Sequence, residues 1–351
     1  MFNFDLKNEN AFSLDLGGGS LKILQLENTA GKNVEIKAFS EHSVPVGLFV
    51  NDSITDPKTF IFLLQEAIKK PQFGKISTRH VIASLPESKS FVRVIQIPQM
   101  SDSEAENAVP VEAESFIPMP IDQVYLDWQK LGSSDGKMNI LIIATPKELV
   151  DKYLDILDRA GLKPSALEVE SQSCHRAVIS KDSNETALIL DLDAYRSSLI
   201  MVEEGHLQFT STVPIAGNNF TESIARYLGV SSVKAEEIKR RVGIANTADY
   251  PNIKTALLPA LNTLTEEIKN ILNFHRNNSD KQVSRILLVG GSSKLKNLPE
   301  FLAPELAAFG QIKVELGNPW VNVEKINSGS INPHDSLGYT TAIGLSLRNI
   351  L

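Results

Sequence analysis

The glycine-rich stretch at residues 12–27, FSLDLGGGSLKILQLE, constrains the fold more than any other part of the chain. An apolar run ends at Asp15, three glycines and Ser20 follow, and an apolar strand pattern then begins again. Two strands joined by a short glycine-rich turn predict a β-hairpin. Glycines adopt a positive φ without cost and let backbone N–H groups approach an anion closely. The turn is therefore either a phosphate-binding loop or a hairpin turn that binds no ligand.

The polar residues of this hairpin suit a phosphate and its metal ion. Asp15 ends a strand, where its carboxylate could hold a hydrated magnesium ion, because this hard cation keeps several of its waters. Ser20 offers a hydroxyl to a phosphate oxygen, and Lys22 adds a positive charge just beyond it. Neither the P-loop pattern nor the dinucleotide-binding pattern GxGxxG occurs in the hairpin, so neither of those two sites is predicted.

The composition is that of an ordinary globular protein, and it excludes several classes of function. With 351 residues, 42% of them hydrophobic, the chain can bury a large core and should form two domains or several subdomains. The formal net charge of -7 argues against nucleic acid as the main partner. The single cysteine, Cys174, excludes an intramolecular disulfide and fits a reducing compartment. The histidines are scattered without ligand spacing, which argues against a zinc site.

The sequence also lacks the patterns of membrane-spanning and secreted proteins. No apolar run approaches the roughly 20 residues needed to span a bilayer. The opening residues, MFNFDLKNEN, contain no basic segment that leads into an apolar one, so they do not predict a signal peptide. We therefore expect a cytoplasmic protein.

Strands and a helix alternate after the opening hairpin. The pattern predicts a strand over residues 34–43, a helix over residues 59–70 and a buried strand over residues 80–84. The helix ends in lysines just before Pro71, as helices often do before a proline. This order of elements favours an α/β layer over a β-sandwich.

Residues 85–169 are predicted to form a unit of their own. The pattern indicates strands over residues 91–98, 124–131, 138–145 and 166–169, with helices over residues 101–115 and 146–160. Ser101 and Glu104 form a capping-box pattern, and Pro110 should kink the first helix or split it in two. A β-α-β-β-α-β order is the ferredoxin-like pattern. We expect this unit to be inserted between two pieces of the first domain.

The opening hairpin has a counterpart in the second half of the chain. Residues 190–199, LDLDAYRSSL, repeat the order of LDLGGGSL at residues 14–21: apolar strand, aspartate, turn, serine and a further apolar run. The two strand-end aspartates, Asp15 and Asp191, predict two similar domains that face each other across a shared ligand. The second copy carries Asp193 where a glycine is expected.

The rest of the second half adds helices and a second glycine-rich turn. The pattern predicts four helices and one buried strand, over residues 219–228, 232–242, 257–276 and 335–348 and over residues 283–289. Gly290 and Gly291 follow the strand and precede a helix, so a flat ring or a phosphate could meet bare backbone there. Glu236, Lys239 and Arg240 share one helix face, which is either a solvated, salt-bridged face or a ligand contact.

Several segments, in this order, resemble the motifs of the actin, Hsp70 and sugar-kinase superfamily. LDLGGGSLK, LDLDAYRSSL, EEIKR and LLVGGSSKLKNL, followed by the TAIGL helix, are similar to its phosphate-1, phosphate-2, adenosine and connecting motifs. Within the superfamily, the insert text from LPESKSFVRVIQIP to VYLDWQKLG resembles the PilM family of type IV pilus assembly proteins, relatives of the cell-division protein FtsA. ATPKELVDKYLDILDRAGLKP and LEVESQS resemble the same family. The resemblance covers nearly the whole chain from Phe12 onward.

The resemblance implies an α/β, actin-like (ribonuclease H-like) two-domain fold with a ferredoxin-like inserted subdomain. The first actin-like domain would comprise residues 1–84, 166–186 and 336–351, with the insert at residues 85–165. The second would comprise residues 187–217 and 283–335, with a helical subdomain at residues 218–282.

The resemblance also implies ATP and magnesium in the cleft between the two halves. Asp15 and Asp191 would hold the metal through water, and Glu170 would position the attacking water. The residues that would contact the nucleotide are the phosphate turn Gly17, Gly18, Gly19 and Ser20 with Lys22, the facing Ser197, the helix residues Glu236, Lys239 and Arg240, and the turn Gly290, Gly291 and Ser292 beneath the base.

Asp193 departs from the family pattern. A second carboxylate beside Asp191 repels a triphosphate unless magnesium or Arg196 offsets it. At about 4 Å and an effective dielectric near 20, this repulsion is on the order of 4 kcal/mol. We therefore expect nucleotide binding to be retained and ATP hydrolysis to be slow or absent.

The leading functional hypothesis is a cytoplasmic ATP-binding adaptor of a type IV pilus or a related secretion machine. The resemblance implies that it docks the N-terminal cytoplasmic peptide of a PilN-like inner-membrane protein, between the first domain and the insert. An extended peptide needs only backbone pairing and a few side-chain pockets. The protein would be peripheral to the inner membrane through such partners alone. Self-association is left open, and nucleic acid is not expected.

Two other functions fit the same fold, because function depends on the site and not on the fold alone. A small-molecule kinase would need a substrate base with a sugar pocket, and the sequence singles out neither. A polymerising cytoskeletal protein like FtsA would favour a C-terminal amphipathic membrane helix, and no such segment is expected at Ile350 and Leu351.

Overall fold

The computed structural model describes residues 2–3, 10–17, 19–134, 136–327 and 331–351. Two eight-stranded sheets organise these residues, and a small hairpin forms a third sheet. In chain order the strands are β1 (Phe2–Asn3), β2 (Phe12–Leu16), β3 (Ser20–Ala30), β4 (Asn33–Ser43), β5 (Phe49–Val50), β6 (Ser53–Ile54), β7 (Phe73–Gly74), β8 (His80–Leu85), β9 (Phe91–Pro98), β10 (Val124–Ser134), β11 (Lys137–Pro146), β12 (Lys163–Val169), β13 (Ala187–Leu192), β14 (Ser197–Glu203), β15 (His206–Val213), β16 (Arg285–Val289), β17 (Lys313–Leu316) and β18 (Lys325–Asn327).

Helices follow the strands in the order expected of an α/β protein. They are α1 (Pro57–Lys69), α2 (Asp102–Glu114), α3 (Lys147–Arg159), α4 (Glu170–Val178), α5 (Gly217–Leu228), α6 (Ser232–Val242), α7 (Ile253–Asn278), α8 (Leu298–Glu305), α9 (Pro333–Ser336) and α10 (Thr340–Leu347). Across the described ranges, none of these helices is both long enough and apolar enough to cross a membrane.

The two large sheets repeat one strand order. The first runs β1-β12-β8-β2-β3-β4-β18, with β7 also on β4, and the second runs β10-β11-β9-β15-β14-β13-β16-β17. In each sheet an antiparallel meander starts from a central strand, β2 or β13, whose other side pairs with a parallel strand, β8 or β16. The repeat agrees with the two similar halves predicted from the paired hairpins. The exact domain boundaries stay predictions.

The C-terminal helix α10 packs against α4 beside the first sheet. Every residue of α10 is buried, because the helix lies between α4 and strands β2, β3 and β8 of the first sheet. A Cβ on Gly344 would lie 1.9 Å from the carbonyl oxygen of Ser173, so no larger residue fits there. The helix predicted over residues 335–348 is confirmed in its C-terminal part. The short helix α9 and a 3-10 turn, Leu337–Tyr339, precede it.

The second sheet shares a separate core with α5, α6 and α7. Phe220, Ile238 and Leu264 of these helices are buried in one cluster with Leu190 of β13. The long helix α7 starts at Ile253, before its predicted start, and continues through a proline. The three predicted helices of this region are therefore confirmed: α6 has the predicted ends, and α5 and α7 begin earlier than predicted.

The insert differs from the prediction in the pairing of its last strand. β9, β10 and β11 form an antiparallel set, which joins the end of the second sheet through one pair between Phe209 of β15 and Arg93 of β9. β12 pairs instead with β8 and β1 in the first sheet. The β-α-β-β-α-β order of a ferredoxin-like unit is present, but its fourth strand lies in the first sheet.

The two helices of the insert lie in different cores. α2 covers a small cluster that contains Ile95 and Ile140, whereas Tyr153 and Ile156 of α3 belong to the main core. The capping box at the start of α2 is confirmed. The predicted split at Pro110 is wrong, because α2 is one helix whose buried face continues on both sides of the proline.

Candidate functional site

A cavity of about 940 Å³ lies where the two sheets meet. The β2–β3 turn and the β13–β14 turn both line it, and α5, α6 and the segment after β16 complete its walls. The chain leading into α10 closes a further side. Ligand sites of this size are common in clefts between domains. The two hairpins singled out in the sequence thus meet at one cavity.

Most of the predicted site residues line this cavity. They are Gly17, Gly19, Ser20, Lys22, Glu170, Glu236, Lys239, Arg240, Gly291 and Ser292. Gly18 lies outside the described residues. Sequence reasoning gave no site role to several other lining residues, among them Glu41, Gln72, Tyr195, Asn218, Thr221, His334 and Tyr339. Strand pairing could have found Glu41, which lies opposite Lys22 in the β3–β4 hairpin.

The remaining predicted residues that the structure describes do not line the cavity, and Ser197 is the clearest correction. Ser197 is fully buried, and its hydroxyl donates a hydrogen bond to the carbonyl oxygen of Ile215. A buried hydroxyl needs such a partner, and this one holds the side chain in the core of the second sheet. The structure therefore does not bring Ser197 to the cavity as predicted.

Gly290 has a packing role beneath the predicted site. Its φ is +83°, and a Cβ there would lie 2.4 Å from Oδ1 of Asp191. A side chain would therefore both strain the backbone and displace a carboxylate. The glycine lets the turn after β16 pass directly over the end of β13.

Asp15 and Asp191 are both buried, and neither lines the cavity. Ser84 Oγ donates a hydrogen bond to Asp15 Oδ1 at 3.3 Å, and Cys174 Sγ donates one to Asp191 Oδ2 at 3.3 Å. Burial raises the pKa of Asp15 to about 6, although Lys22 opposes the rise. Burial raises the pKa of Asp191 well above its usual range, and neighbouring carboxylates add to the effect. The positive charge near the two aspartates therefore compensates their burial only in part.

Lys22 supplies part of that charge. Its Nζ lies 3.8 Å from Asp15 Oδ2, and its side chain is buried. Burial lowers the pKa of Lys22, but Asp15, Asp193 and Glu41 outweigh it, so the pKa is raised overall. The ammonium group therefore stays charged and balances the carboxylates on one side of the cavity.

The carboxylates fit a hydrated metal ion better than a directly ligated one. Among the residues that the structure describes, no group of three or more His, Cys, Asp or Glu side chains could hold a metal ion. Magnesium usually keeps several waters and uses one or two carboxylates, which Asp15 and Asp191 could supply. Their raised pKa values support this fit, because a nearby cation would favour the charged form of both groups.

Glu236 connects α6 with the wall of the cavity. Its Oε2 lies 2.6 Å from Lys239 Nζ and accepts a hydrogen bond from Thr221 Oγ1 at 2.5 Å. Its Oε1 accepts one from Arg240 Nε at 2.7 Å. Burial alone would raise the pKa of Glu236, but these three partners outweigh it and lower the pKa to about 2. Lys239 also donates to the carbonyl oxygen of Gly217 at 2.9 Å, so the predicted salt-bridged face contacts the cavity wall as well as solvent.

Glu170 begins α4 and lines the cavity. Its Oε2 accepts a hydrogen bond from the backbone N–H of Glu87 at 3.1 Å. Burial raises the pKa of Glu170 well above its usual range, and Asp15 and Asp193 add to the rise. A raised pKa disfavours the carboxylate form that would orient a water and accept its proton.

Known proteins with this architecture are similar over nearly the whole chain. The family described as type IV pilus assembly protein PilM matches residues 13–350. The solved PilM–PilN type IV pilus biogenesis complex has a TM-score of 0.82 and 28% identity, over 98% of this chain and 99% of that chain. MreB 5 of Spiroplasma citri bound to AMPPNP has a TM-score of 0.57 and 13% identity, over 97% and 96% of the two chains, and so shows the fold alone.

The cell division protein FtsA is similar in sequence. FtsA of Pseudomonas aeruginosa is 24% identical over 95% of this chain and 87% of its own length. The match to FtsA of Bacillus subtilis is 26% identical and spans 30% of this chain and only 24% of that protein. The fold is the actin-like one that the motifs predicted. Because the family match extends over nearly all of its length, the chain belongs to the type IV pilus assembly protein PilM family.

Proposed function

We propose that this chain is an ATP-binding adaptor in type IV pilus assembly, which docks the N-terminal peptide of a PilN-like inner-membrane protein. The solved relative is a PilM–PilN complex, and this supports the partner. The observation that carries the nucleotide part is the cavity between two equivalent hairpin turns. The two parts rest on different observations and are tested separately.

The phosphate end of the nucleotide would lie at the β2–β3 turn. Gly17 and Gly19 leave backbone exposed there, and Ser20 adds a hydroxyl. Magnesium held through its waters by Asp15 and Asp191 would neutralise phosphate charge when it is bound.

The nucleoside would lie at the other end, against α6 and the turn after β16. Glu236, Lys239 and Arg240 offer polar groups there, and Gly291 and Ser292 form the floor. The charge of Glu236 is held by its low pKa, so it can accept a hydrogen bond from a ribose hydroxyl at neutral pH.

Slow or absent hydrolysis follows from the charges at the cavity. Asp193 lines the cavity, and within the described ranges no residue donates a hydrogen bond to its carboxylate or forms an ion pair with it. Arg196 lines the same cavity but is ion-paired with Asp52 and not with Asp193. The raised pKa of Glu170 weakens the remaining candidate for activating a water. Catalysis of phosphoryl transfer depends on stabilising developing negative charge, which this arrangement opposes.

The contact between α1 and the insert supports the proposed position of the peptide. Gln65 of α1 donates a hydrogen bond from Nε2 to the carbonyl oxygen of Ala160, at the end of α3, at 3.5 Å. Phe62 shares the helix face of Gln65, three residues earlier, and 65% of it is exposed. An exposed, large apolar side chain beside this contact would suit a peptide that lies between the first domain and the insert.

Calorimetric titration of ATP with magnesium into the full chain tests the nucleotide part. Gly17→Asp places a negative charge in the phosphate turn and should weaken ATP binding by more than about tenfold. Gly132→Asp is the matched control, because Gly132 lies in β10 with nothing within 4 Å of its Cβ position. Equal ATP affinity in the Gly17→Asp variant and the parent would contradict the cavity assignment.

A pull-down with a synthetic N-terminal peptide of the PilN-like protein tests the adaptor part. Phe62→Ser should lower peptide capture, whereas Val46→Ser, at a side chain that is 95% exposed, should not. Equal capture by both variants would place the peptide elsewhere on the surface.

Self-assembly is a second candidate function, favoured by the sequence match to FtsA over 95% of this chain. Sedimentation with and without ATP distinguishes the two functions. An adaptor should stay in the supernatant at concentrations where filaments would pellet.

A further inference from the structure

Two sets of hydrogen bonds, here called ties, connect the linker that leads into the insert with residues of the cavity wall. This linker, residues 86–90, joins β8 to β9 and contains a 3-10 turn, Glu87–Lys89. Both ties cross long distances in sequence, so they depend on the fold. Each tie ends at a residue that lines the cavity.

Arg196 makes the first tie. Its Nη1 donates a hydrogen bond to Ser88 Oγ at 2.7 Å, 108 residues away in sequence. Its Nη2 is ion-paired with Asp52 Oδ1, and Ser88 Oγ donates a hydrogen bond to the other oxygen of Asp52. Each of the three side chains therefore contacts the other two. Arg196 lines the cavity, and neither Asp52 nor Ser88 does.

The hairpin β5–β6 holds Asp52 in place for this contact. Asn51 and Asp52 form its turn with positive φ values of 48° and 61°. Such turns suit asparagine and aspartate and match the twist of the flanking strands. Asp52 is buried, so it presents a fixed carboxylate to Arg196.

Glu170 makes the second tie, to the backbone of Glu87. It accepts the hydrogen bond from the Glu87 N–H at 3.1 Å and lines the cavity itself. The side chain of Glu87 is buried, and it accepts hydrogen bonds from the Ser171 N–H at 2.9 Å and from Thr210 Oγ1 at 2.5 Å. Thr210 belongs to β15, so the linker also contacts the second sheet.

The guanidinium of Arg196 can donate its hydrogen bonds either to Asp52 and Ser88 or to a phosphate. Its donors form a rigid fork that fits carboxylates and phosphates equally well in shape. A triphosphate carries more negative charge than the single carboxylate of Asp52 and would compete for the same N–H groups. Any shift of Arg196 toward the cavity removes a hydrogen bond from Ser88.

We propose that nucleotide phosphate in the cavity draws Arg196 away from Asp52 and Ser88 and thereby loosens the linker. Nucleotide occupancy then sets how firmly the insert is held against the body of the protein. This inference rests on the proposed nucleotide site and adds the residue through which that site is coupled to the insert. By linkage, a ligand that holds the insert in its tied position weakens ATP binding by the same factor.

Amide hydrogen exchange of the full chain, with and without ATP and magnesium, tests this proposal. The reporters are the N–H groups of Lys89 and Ser90, which close the 3-10 turn with hydrogen bonds of 3.2 and 3.1 Å. With saturating ATP they should exchange about tenfold faster, because a charge-assisted hydrogen bond to the turn is lost. An ATP titration of the same sample reports binding separately.

Ser88→Ala removes the first tie without touching the cavity wall. In this variant the Ser90 N–H should exchange at the faster rate already without ATP and should not respond to ATP. Its ATP affinity should rise by up to about tenfold, because the nucleotide no longer has to break the hydrogen bond between Arg196 and Ser88. Asp52→Asn replaces it if Ser88→Ala fails to fold: it removes the charge that holds Arg196, so ATP should bind more tightly and speed exchange of the Ser90 N–H at a lower ATP concentration than in the parent.

Lys89→Ala is the matched control. Lys89 lies exposed in the same turn, and its side chain forms no hydrogen bond or ion pair with any residue of the described part. Its Ser90 N–H should respond to ATP as in the parent. Bound ATP with unchanged exchange in the parent, or a full response in Ser88→Ala, overturns the coupling and leaves the nucleotide site standing. Absence of ATP binding overturns both.

Discussion

Gly19 and Ala194 meet so closely that a Cβ built on the glycine would lie 3.0 Å from the alanine Cβ. The two residues belong to turns of different sheets, and the ring of Tyr195 lies 3.5 Å from the same position. The sequence suggested that this glycine serves a positive φ or an anion. The structure adds that it lets the two turns touch, because even a methyl group would require them to move.

Gly19→Val should therefore weaken ATP binding. The branched side chain would push the β13–β14 turn away and widen the cavity between the two turns, so we expect a loss of about tenfold or more. Calorimetry with ATP and magnesium measures it. Gly132→Val is the control, since its Cβ position is open and valine suits a strand. An affinity unchanged by Gly19→Val would show that the turns separate without cost.

Much of the fold could be predicted because its signals are local. Short stretches of sequence predict the hairpins, the capping box at Ser101 and the helices of the second half. Pairing between distant segments has no such signal. β12 follows the insert in sequence and completes a ferredoxin-like order, yet it pairs with β8, because the parallel edge of the first sheet is open to it.

The candidate site shows the same division. The glycine turns and the charges of α6 could be found from their motifs. The partners of Arg196 could not, since Asp52 and Ser88 come from a hairpin and a linker far away in sequence. Ser197 was misassigned because a motif gives the position of a serine but not the direction in which its hydroxyl points.

Asp15 makes stability depend on pH in a direction opposite to that of most surface carboxylates. Its pKa is raised from 3.8 to about 6, chiefly by burial. The stability that its neutral form contributes is full below pH 3.8 and is lost as the pH rises through about 6. Urea unfolding without nucleotide or metal should therefore show a free energy of unfolding that falls less with pH in Asp15→Asn than in the parent. The difference should reach roughly 3 kcal/mol.

Asp56→Asn is the control for this pH series. Asp56 caps α1, and hydrogen bonds, chiefly from Thr59, lower its pKa below 3.8. The stability that the charged form of Asp56 contributes is lost only as the pH falls below 3.8. At higher pH, the free energy of unfolding of the variant should therefore change with pH in parallel with that of the parent. A parallel curve for Asp15→Asn as well would mean that Asp15 is not the group that titrates.

Glu168 should be essential for stability. It is buried in β12, where its carboxylate binds Arg176 of α4 at 2.8 Å and Arg348, just after α10, at 2.7 Å. Glu168→Gln would leave two arginines without their counter-charge, and we expect a loss of about 3–5 kcal/mol in the free energy of unfolding. Glu66→Gln, which removes a surface pair with Lys70, should cost less than about 1 kcal/mol. Equal losses in urea unfolding would contradict this role of the buried carboxylate.

Asp193 is the departure from the family pattern with the most direct consequence. Its φ is not positive, so the turn does not need a glycine for its backbone conformation. Its carbonyl oxygen accepts hydrogen bonds from the Gly217 N–H and from Ser292 Oγ, both at 2.9 Å, and these fix the turn through the main chain. What the side chain adds to the cavity is negative charge, and Arg196 is ion-paired with Asp52 and not with Asp193.

Asp193→Gly should therefore tighten ATP binding by roughly 1–2 kcal/mol, and hydrolysis should rise as well if charge is what limits it. Asp193→Asn separates charge from volume, because it keeps the size of the side chain and removes its charge. Titration of ATP into all three proteins at matched magnesium decides whether the charge or the volume of the Asp193 side chain weakens ATP binding. Tighter binding in both variants identifies the charge as the cause, and tighter binding in the glycine variant alone identifies the volume. Equal dissociation constants in all three proteins would mean that Asp193 does not face the nucleotide.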